Sequence, residues 1–215
     1  MKRALILAGG WPGHQPKETS ELFAGALEEK GFGVQVAGSL DVLLDPEAMR
    51  DLSLIVPNWT MGSIGEEAEK ALRDAVRGGV GLGGWHGGMG DAFRNSPAFQ
   101  FMVGGQFVAH PGNKIAYRVN VSDREHEITR GLSDFDFTSE QYYLHVDPSN
   151  RVLATTTFGG EHVPHIAGTV MPVAWTRQWW EGRVYYCSLG HDTSDFQASP
   201  QAFQLVLRGL LWAAR

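Results

Sequence analysis

Apolar positions along the first half of the chain fall into two rhythms. Short solid runs, Ala4 to Leu7 and Leu52 to Val56, fit strands buried on both faces. Between them, within Glu18 to Lys30, Leu22, Phe23, Ala26 and Leu27 recur at helical spacing, and Gly31 suits the left-handed position after a helix. Val34 and Val36 suggest a short second strand, and Pro46 to Met49 a single helical turn. Ser63-Ile64-Gly65-Glu66 has the form of a capping box, placed before a helix whose inward stripe is Ala68, Leu72, Ala75 and Val76. Val80 and Leu82, with the glycines between them, make the next buried strand, and Met89 to Arg94 opens the helix after it. Strands and helices alternating at this spacing predict parallel βαβ units, whose ligands bind beyond the carboxyl ends of the strands.

The second half carries a different pattern. Ser96-Pro97 caps a short helix, Ala98 to Val103, that Gly104 ends. Ile115, Tyr117, Val119 and Val121 alternate as an edge or antiparallel strand would. The polar, aromatic-rich passage from His126 to His145 reads as loops and short turns. Val152 to Thr157, Pro172 to Trp175 and Arg183 to Leu189 are strand-like, with Trp179-Trp180-Glu181-Gly182 as a turn and Gly190-His191-Asp192 closing the last strand. Ser199-Pro200 starts a final helix in which Phe203, Val206, Leu207, Leu210 and Leu211 face the sheet.

Composition narrows the function. With 215 residues, 43% hydrophobic and 20% charged, the chain is expected to be one globular domain, 1–215, with a sizeable core. A net charge of -6 gives no electrostatic footprint for nucleic acid or an anionic membrane, so a small molecule is the expected partner. The only cysteine, Cys187, excludes an internal disulfide and any multi-cysteine metal site. The apolar run after Lys2 and Arg3 is shorter than the roughly 7 to 15 residues of a signal-peptide core. No run reaches the ~20 residues of a membrane span, so a cytoplasmic location is expected.

The candidate chemistry centres on Gly78 to Gly90, GGVGLGGWHGGMG. Gly84-Trp85-His86-Gly87-Gly88 has the spacing of a nucleophile elbow with histidine in the reactive place. A formal G-x-G-x-x-G at Gly79, Gly81 and Gly84 is no dinucleotide site, because these glycines form the strand instead of following it. His14, Trp59 and His86 each follow a predicted strand, and His191 follows the last one, so all belong to one sheet edge. As an exposed loop residue, His86 is expected to contribute within about 0.5 kcal/mol to stability. Histidine titrates near neutrality, so His86 and His191 are the candidates for proton transfer, with Glu140 orienting one of them or acting as the acid. Neutral imidazoles and a carboxylate also suit a divalent ion such as zinc, with His86, His191 and Glu140 or His14 as ligands. His14, Trp59, Trp85, His110, Tyr142 and His145 are the candidates for substrate contact. His126, His162 and His165 read as surface residues. The aromatic segment Phe135 to Tyr143 and the Trp179-Trp180 pair suggest surplus apolar surface and hence a homo-oligomer.

This layout resembles the class I glutamine amidotransferase fold, in which a cysteine stands on the elbow and a histidine follows a late strand. His86 occupies the cysteine position and His191 the histidine position, while Asp192 lies near the glutamate position. A histidine cannot form the thioester, so glutaminase activity is not expected. The sequence is more similar to the ThuA-like family, named for trehalose utilisation. The similarity is carried by the Gly9 to His14 loop, Gly84-Trp85-His86-Gly87-Gly88, His126-Glu127-Ile128-Thr129-Arg130-Gly131-Leu132, Ser139-Glu140-Gln141-Tyr142-Tyr143, and Arg183-Val184-Tyr185-Tyr186 running to Gly190-His191. The βα alternation up to Phe93 and the alternating strand patterns after it, together with this resemblance, predict a flavodoxin-like, three-layer α/β fold of the amidotransferase-like type: a mainly parallel central sheet with helices on both faces and an antiparallel extension from Ile115 to Trp175. The resemblance also implies action on a disaccharide such as trehalose, or on its keto derivative. The alternatives are a sugar-binding accessory protein without chemistry and a metal-dependent hydrolase.

Overall fold

Ala4 and Ile6 pack into one hydrophobic core and Leu5 and Leu7 into another, because successive side chains of a strand point to opposite faces. In the computed structural model, which describes residues 1–214, these two cores lie on the two faces of one large sheet. The first half of the chain runs β1 (Lys2–Gly10), α1 (Pro16–Glu28), β2 (Phe32–Ala37), α2 (Pro46–Met49), β3 (Leu52–Thr60), α3 (Glu66–Arg77), β4 (Gly81–Trp85), α4 (His86–Gly90) and α5 (Pro97–Val103). The second half adds β5 (Gly105–Ala109), β6 (Lys114–Val121), β7 (Phe135–Glu140), β8 (Tyr143–Val146), β9 (Arg151–Thr157), β10 (Val170–Trp179), β11 (Gly182–Cys187), α6 (Thr193–Ala198) and α7 (Pro200–Ala213).

The large sheet has the order β2-β1-β3-β4-β11-β10-β9-β6-β7, with β5 and β8 as a separate two-stranded ribbon. From β2 to β11 neighbouring strands are parallel, and from β11 to β7 they are antiparallel. Phe23 and Leu27 of α1 and Leu205, Val206 and Leu210 of α7 fill the core on one face. Leu72 and Val76 of α3 and Phe99 and Met102 of α5 fill the other. The expected parallel βα half and antiparallel extension are both present, in a mixed sheet with helices on both faces.

Local differences have local causes. Ser96 and Ser199 do cap their helices, accepting from Phe99 N at 3.1 Å and Ala202 N at 3.2 Å. Ser63 does not, because α3 starts at Glu66 with extended Gly65 as its cap residue. The helix expected from Met89 begins three residues earlier, at His86, and is over by Gly90. The passage expected to be loops contains β7 and β8: Phe135, Phe137 and Ser139 are buried while Asp136 and Thr138 are exposed, a period-two pattern short enough to be overlooked. Phe135, Phe137 and Tyr142 therefore belong to the cores, and of the tryptophan pair only Trp180 is exposed. That removes much of the surplus apolar surface on which the oligomer expectation rested. His126, expected at the surface, is buried, with Nδ1 accepting from Ile128 N and its ring against Trp212. Burial pushes the Cys187 thiol up to about 12, so it stays protonated at neutral pH. Among the described residues, no helix is long and apolar enough to cross a membrane.

Candidate functional site

Three parallel strands each deliver a histidine at their carboxyl ends. His14 ends a 3-10 turn, Pro12–His14, just after β1. His86 is the first residue of α4, directly after β4, and holds the left-handed conformation at φ 44°, which non-glycine residues adopt only under the constraint of their surroundings. His191 follows β11 and Gly190. Glu140, the last residue of β7, comes from the antiparallel end of the sheet. Its register partner Lys114 on β6 reaches Asp192 at 3.0 Å and Asp195 at 2.8 Å, which fastens that hairpin to the loop carrying His191.

The four side chains converge. Glu140 Oε2 lies 3.1 Å from His86 Nε2, 3.3 Å from His191 Nδ1 and 3.9 Å from His14 Nε2. One ligand atom from each of the four falls within 4.8 Å of every other. Glu140 Oε1 faces a fifth group, His110 Nε2, at 3.9 Å. The surroundings fix the rings: His14 Nδ1 bonds Thr60 Oγ1 at 2.8 Å, His86 Nδ1 bonds the Ser188 carbonyl at 2.8 Å, and the Tyr186 hydroxyl donates to the His86 carbonyl at 3.1 Å. The His191 backbone N–H donates to Asp195 Oδ2 at 2.9 Å. Tyr142 stacks on His86, ring centres 4.1 Å apart.

The electrostatics are not those of an ordinary ion pair. Burial drives the His86 imidazole from its usual 6.5 down to about 4, overcoming the opposing pull of Glu140, and nearby His14 lowers it further. Burial acts on Glu140 the other way, yet the imidazoles of His14, His191 and His86 gathered around it outweigh burial and hold the carboxyl well below its usual range. At neutral pH the cluster thus contains an ionised carboxylate beside a histidine that has lost its proton. A buried imidazole with a depressed value makes stability depend on pH in a definite sense. Between pH 6.5 and about 4 the unfolded chain takes up a proton that the native chain does not, so this contribution is intact above 6.5 and falls as pH drops toward 4. The expected loss is about 3 kcal/mol, read from denaturant titrations across that window. A flat profile from 6.5 to 4 would show that His86 is not held neutral.

A cavity of about 370 Å³, at the small end of the ~300 to 1,000 Å³ typical of ligand sites, opens over the cluster. His14, Glu140, His110 and Tyr142 reach it, as do Trp11, Asp91, Arg94 and Phe107. His86, 1% exposed, and His191 do not line it. Trp85 lies in the core against Phe23, ring centres 4.4 Å apart, Trp59 packs over Gly9, and His145 is exposed on the β5–β8 ribbon, all away from the cavity. Trp11, Asp91, Arg94 and Phe107 were not among the candidates. Trp11 and Asp91 follow β1 and the β4–α4 turn, so the rule that picked His14 and His86 extends to them.

Fold and cluster together define an α/β protein with a histidine–carboxylate centre at the carboxyl edge of its parallel strands. The chain belongs to the ThuA family, described by the words trehalose utilisation, whose profile it matches over residues 3–213. Solved structures with the same fold include a ThuA-like protein from Parabacteroides merdae (20% identity, TM-score 0.79, 99% of this chain and 89% of that one). Another is a ThuA-like protein from Bacteroides uniformis (18%, 0.81, 99% and 91%). A protein of Salmonella typhimurium described as cytoplasmic is also similar (15%, 0.67, 100% and 97%). Comparison with curated proteins gives no match.

Proposed function

We propose that this chain is a metal-dependent enzyme of carbohydrate catabolism, acting on a neutral sugar such as trehalose or its keto derivative, with a divalent ion of the zinc type held by His14, His86, His191 and Glu140. One observation carries the reading. Because His86 Nδ1 must donate to the Ser188 carbonyl, a neutral ring has only a lone pair at Nε2, and that lone pair faces a carboxylate oxygen at 3.1 Å. Two acceptors at that separation need a cation between them, and burial denies His86 the proton at neutral pH. Ligand atoms around tetrahedral zinc at ~2.0 to 2.1 Å stand about 3.3 Å apart, close to the 3.1 and 3.3 Å from Glu140 to His86 and His191, while His14 at 3.9 Å would draw in on binding. His191 Nδ1 adds to this: it is buried and has no hydrogen-bond partner despite lying near Glu140.

When bound, such an ion polarises a carbonyl or hydroxyl oxygen of the substrate. The buried histidines then act as ligands, and proton transfer falls to the cavity-facing His110, on a ring stacked along Phe107 and Tyr142. Tyr142, whose phenol burial keeps neutral, supplies a donor. We read the sheet as flavodoxin-like, since its parallel half has the doubly wound order that places ligands at the strand ends. Cytoplasmic location is proposed with it, by likeness to the Salmonella protein.

The test is metal analysis of protein purified without added ions, followed by turnover of keto-trehalose with and without chelator. About one equivalent of metal and loss of turnover on chelation are expected. Turnover that survives chelation would favour direct proton transfer by the histidines, and binding without turnover an accessory role.

A further inference from the structure

We propose that Arg94 and Asp91 form a subsite that reads adjacent hydroxyls of a neutral sugar ring and discriminates against the phosphorylated sugar; this rests on the carbohydrate reading above. Asp91 is buried and rigid: its N–H donates to the Gly87 carbonyl at 3.2 Å and its own carbonyl accepts from Met61 N at 2.9 Å. Arg94, half exposed, grips it side-on, with Nε 2.6 Å from Oδ1 and Nη2 2.8 Å from Oδ2. That grip leaves the Nη1 edge of the guanidinium without a hydrogen bond among the described residues. Each carboxylate oxygen retains accepting capacity.

The free Nη1 end of the guanidinium offers donors beside a carboxylate that can still accept. A pair of neighbouring hydroxyls suits it, one accepting from the guanidinium and the other donating to the carboxylate. Aromatic surface borders the same cavity: the guanidinium lies 5.9 Å from the centre of the Phe107 ring, Phe107 leans on Tyr142 at 4.5 Å, and Trp11 stands on the rim with its ring partly exposed. Among the described residues, the Tyr142 hydroxyl makes no hydrogen bond, so it is available to the ligand. Charge selects the class of ligand. The positive charge of Arg94 is already cancelled by Asp91, so a phosphate seated against this pair gains no net cation from it and meets a buried carboxylate, whether or not an ion at the neighbouring cluster cancels Glu140.

Calorimetric titration of the protein as purified, with metal content measured in every sample, tests this using trehalose and glucose against glucose 6-phosphate. The wild type is expected to bind a neutral sugar and to bind glucose 6-phosphate at least about tenfold more weakly. Arg94→Met should lose about 10- to 100-fold in neutral-sugar affinity with metal content unchanged, while its thermal midpoint falls because the buried Asp91 carboxylate loses its partner. Arg94→Lys, which keeps the charge and lacks the planar fork, should lose nearly as much. Asp91→Asn, by uncovering the guanidinium charge, should reverse the preference toward glucose 6-phosphate; Arg94→Met carries the test if that variant does not fold. A wild type that prefers the phosphate, or an Arg94→Met variant that binds neutral sugar undiminished, overturns the proposal and leaves the carbohydrate reading standing. A wild type that binds neither of these sugars nor keto-trehalose removes both.

Discussion

His86→Ala is expected to lose bound metal and turnover together and to unfold at a lower temperature than the wild type. The imidazole is fully buried, bonds the Ser188 carbonyl and sits against Glu140, so it is not the exposed loop side chain that its glycine neighbours suggest. Removing it leaves a buried carbonyl and a buried carboxylate each short of a partner, which costs about 1 to 3 kcal/mol. In a domain of this size that corresponds to roughly 2 to 12 °C in thermal midpoint. Loss of second-shell partners alone weakens metal sites about 10- to 100-fold, so a direct ligand should cost about 100-fold or more in zinc affinity. Competition titration with a chromogenic chelator and a melting curve measure both. A variant that melts lower yet retains wild-type metal affinity and turnover would make His86 a structural residue alone.

Gly87→Ala should damage the same centre without replacing a proposed ligand. A Cβ at that position would fall on the His14 ring and within 3.1 Å of the methyl of Thr60, whose hydroxyl bonds His14 Nδ1 and orients the ring. His14 must swing aside, so zinc affinity is expected to fall about 10- to 100-fold, as for a lost orienting partner. Overpacking adds about 1 to 3 kcal/mol of destabilisation. Gly25→Ala in α1 is the control, because a Cβ there meets nothing within 4 Å, and it should stabilise by roughly 0.5 to 1 kcal/mol. If Gly87→Ala binds zinc as the wild type does, His14 is not a ligand that the cluster needs.

The same glycines show how far the sequence could be read. The stretch Gly78 to Gly90 was recognisable as a strand running into a tight turn, and His14, His86 and His191 fell on one sheet edge by the strand-end rule alone. What the pattern could not convey is which neighbours need the missing side chains. Gly87 admits His14, Gly88 admits Asn58 and Gly90 admits Tyr186, all from the protein's own interior and none from a ligand. Glu140 was legible as a nearby carboxylate only through family resemblance. Its meeting with His86 depends on how the antiparallel hairpin docks through Lys114, a contact between residues far apart in the chain. Asp91 and Arg94 were passed over because a helix was expected to cover them, whereas α4 stops at Gly90 and turns both toward the cavity. Trp85 illustrates the opposite error: an aromatic beside a reactive-looking residue suggests a sugar platform, yet strand alternation sends it to the core with Phe23.

The four side chains proposed as ligands come from positions each more than fifty residues from the next along the chain. An ion joining them is a cross-link between remote segments, and an unfolded chain cannot assemble such a set without closing three long loops. Metal would therefore be acquired only after the sheet has formed, leaving the folding rate untouched. Its whole effect would then fall on escape from the native state, where it acts as a brake on unfolding and sets the lifetime of the protein instead of the speed of its formation.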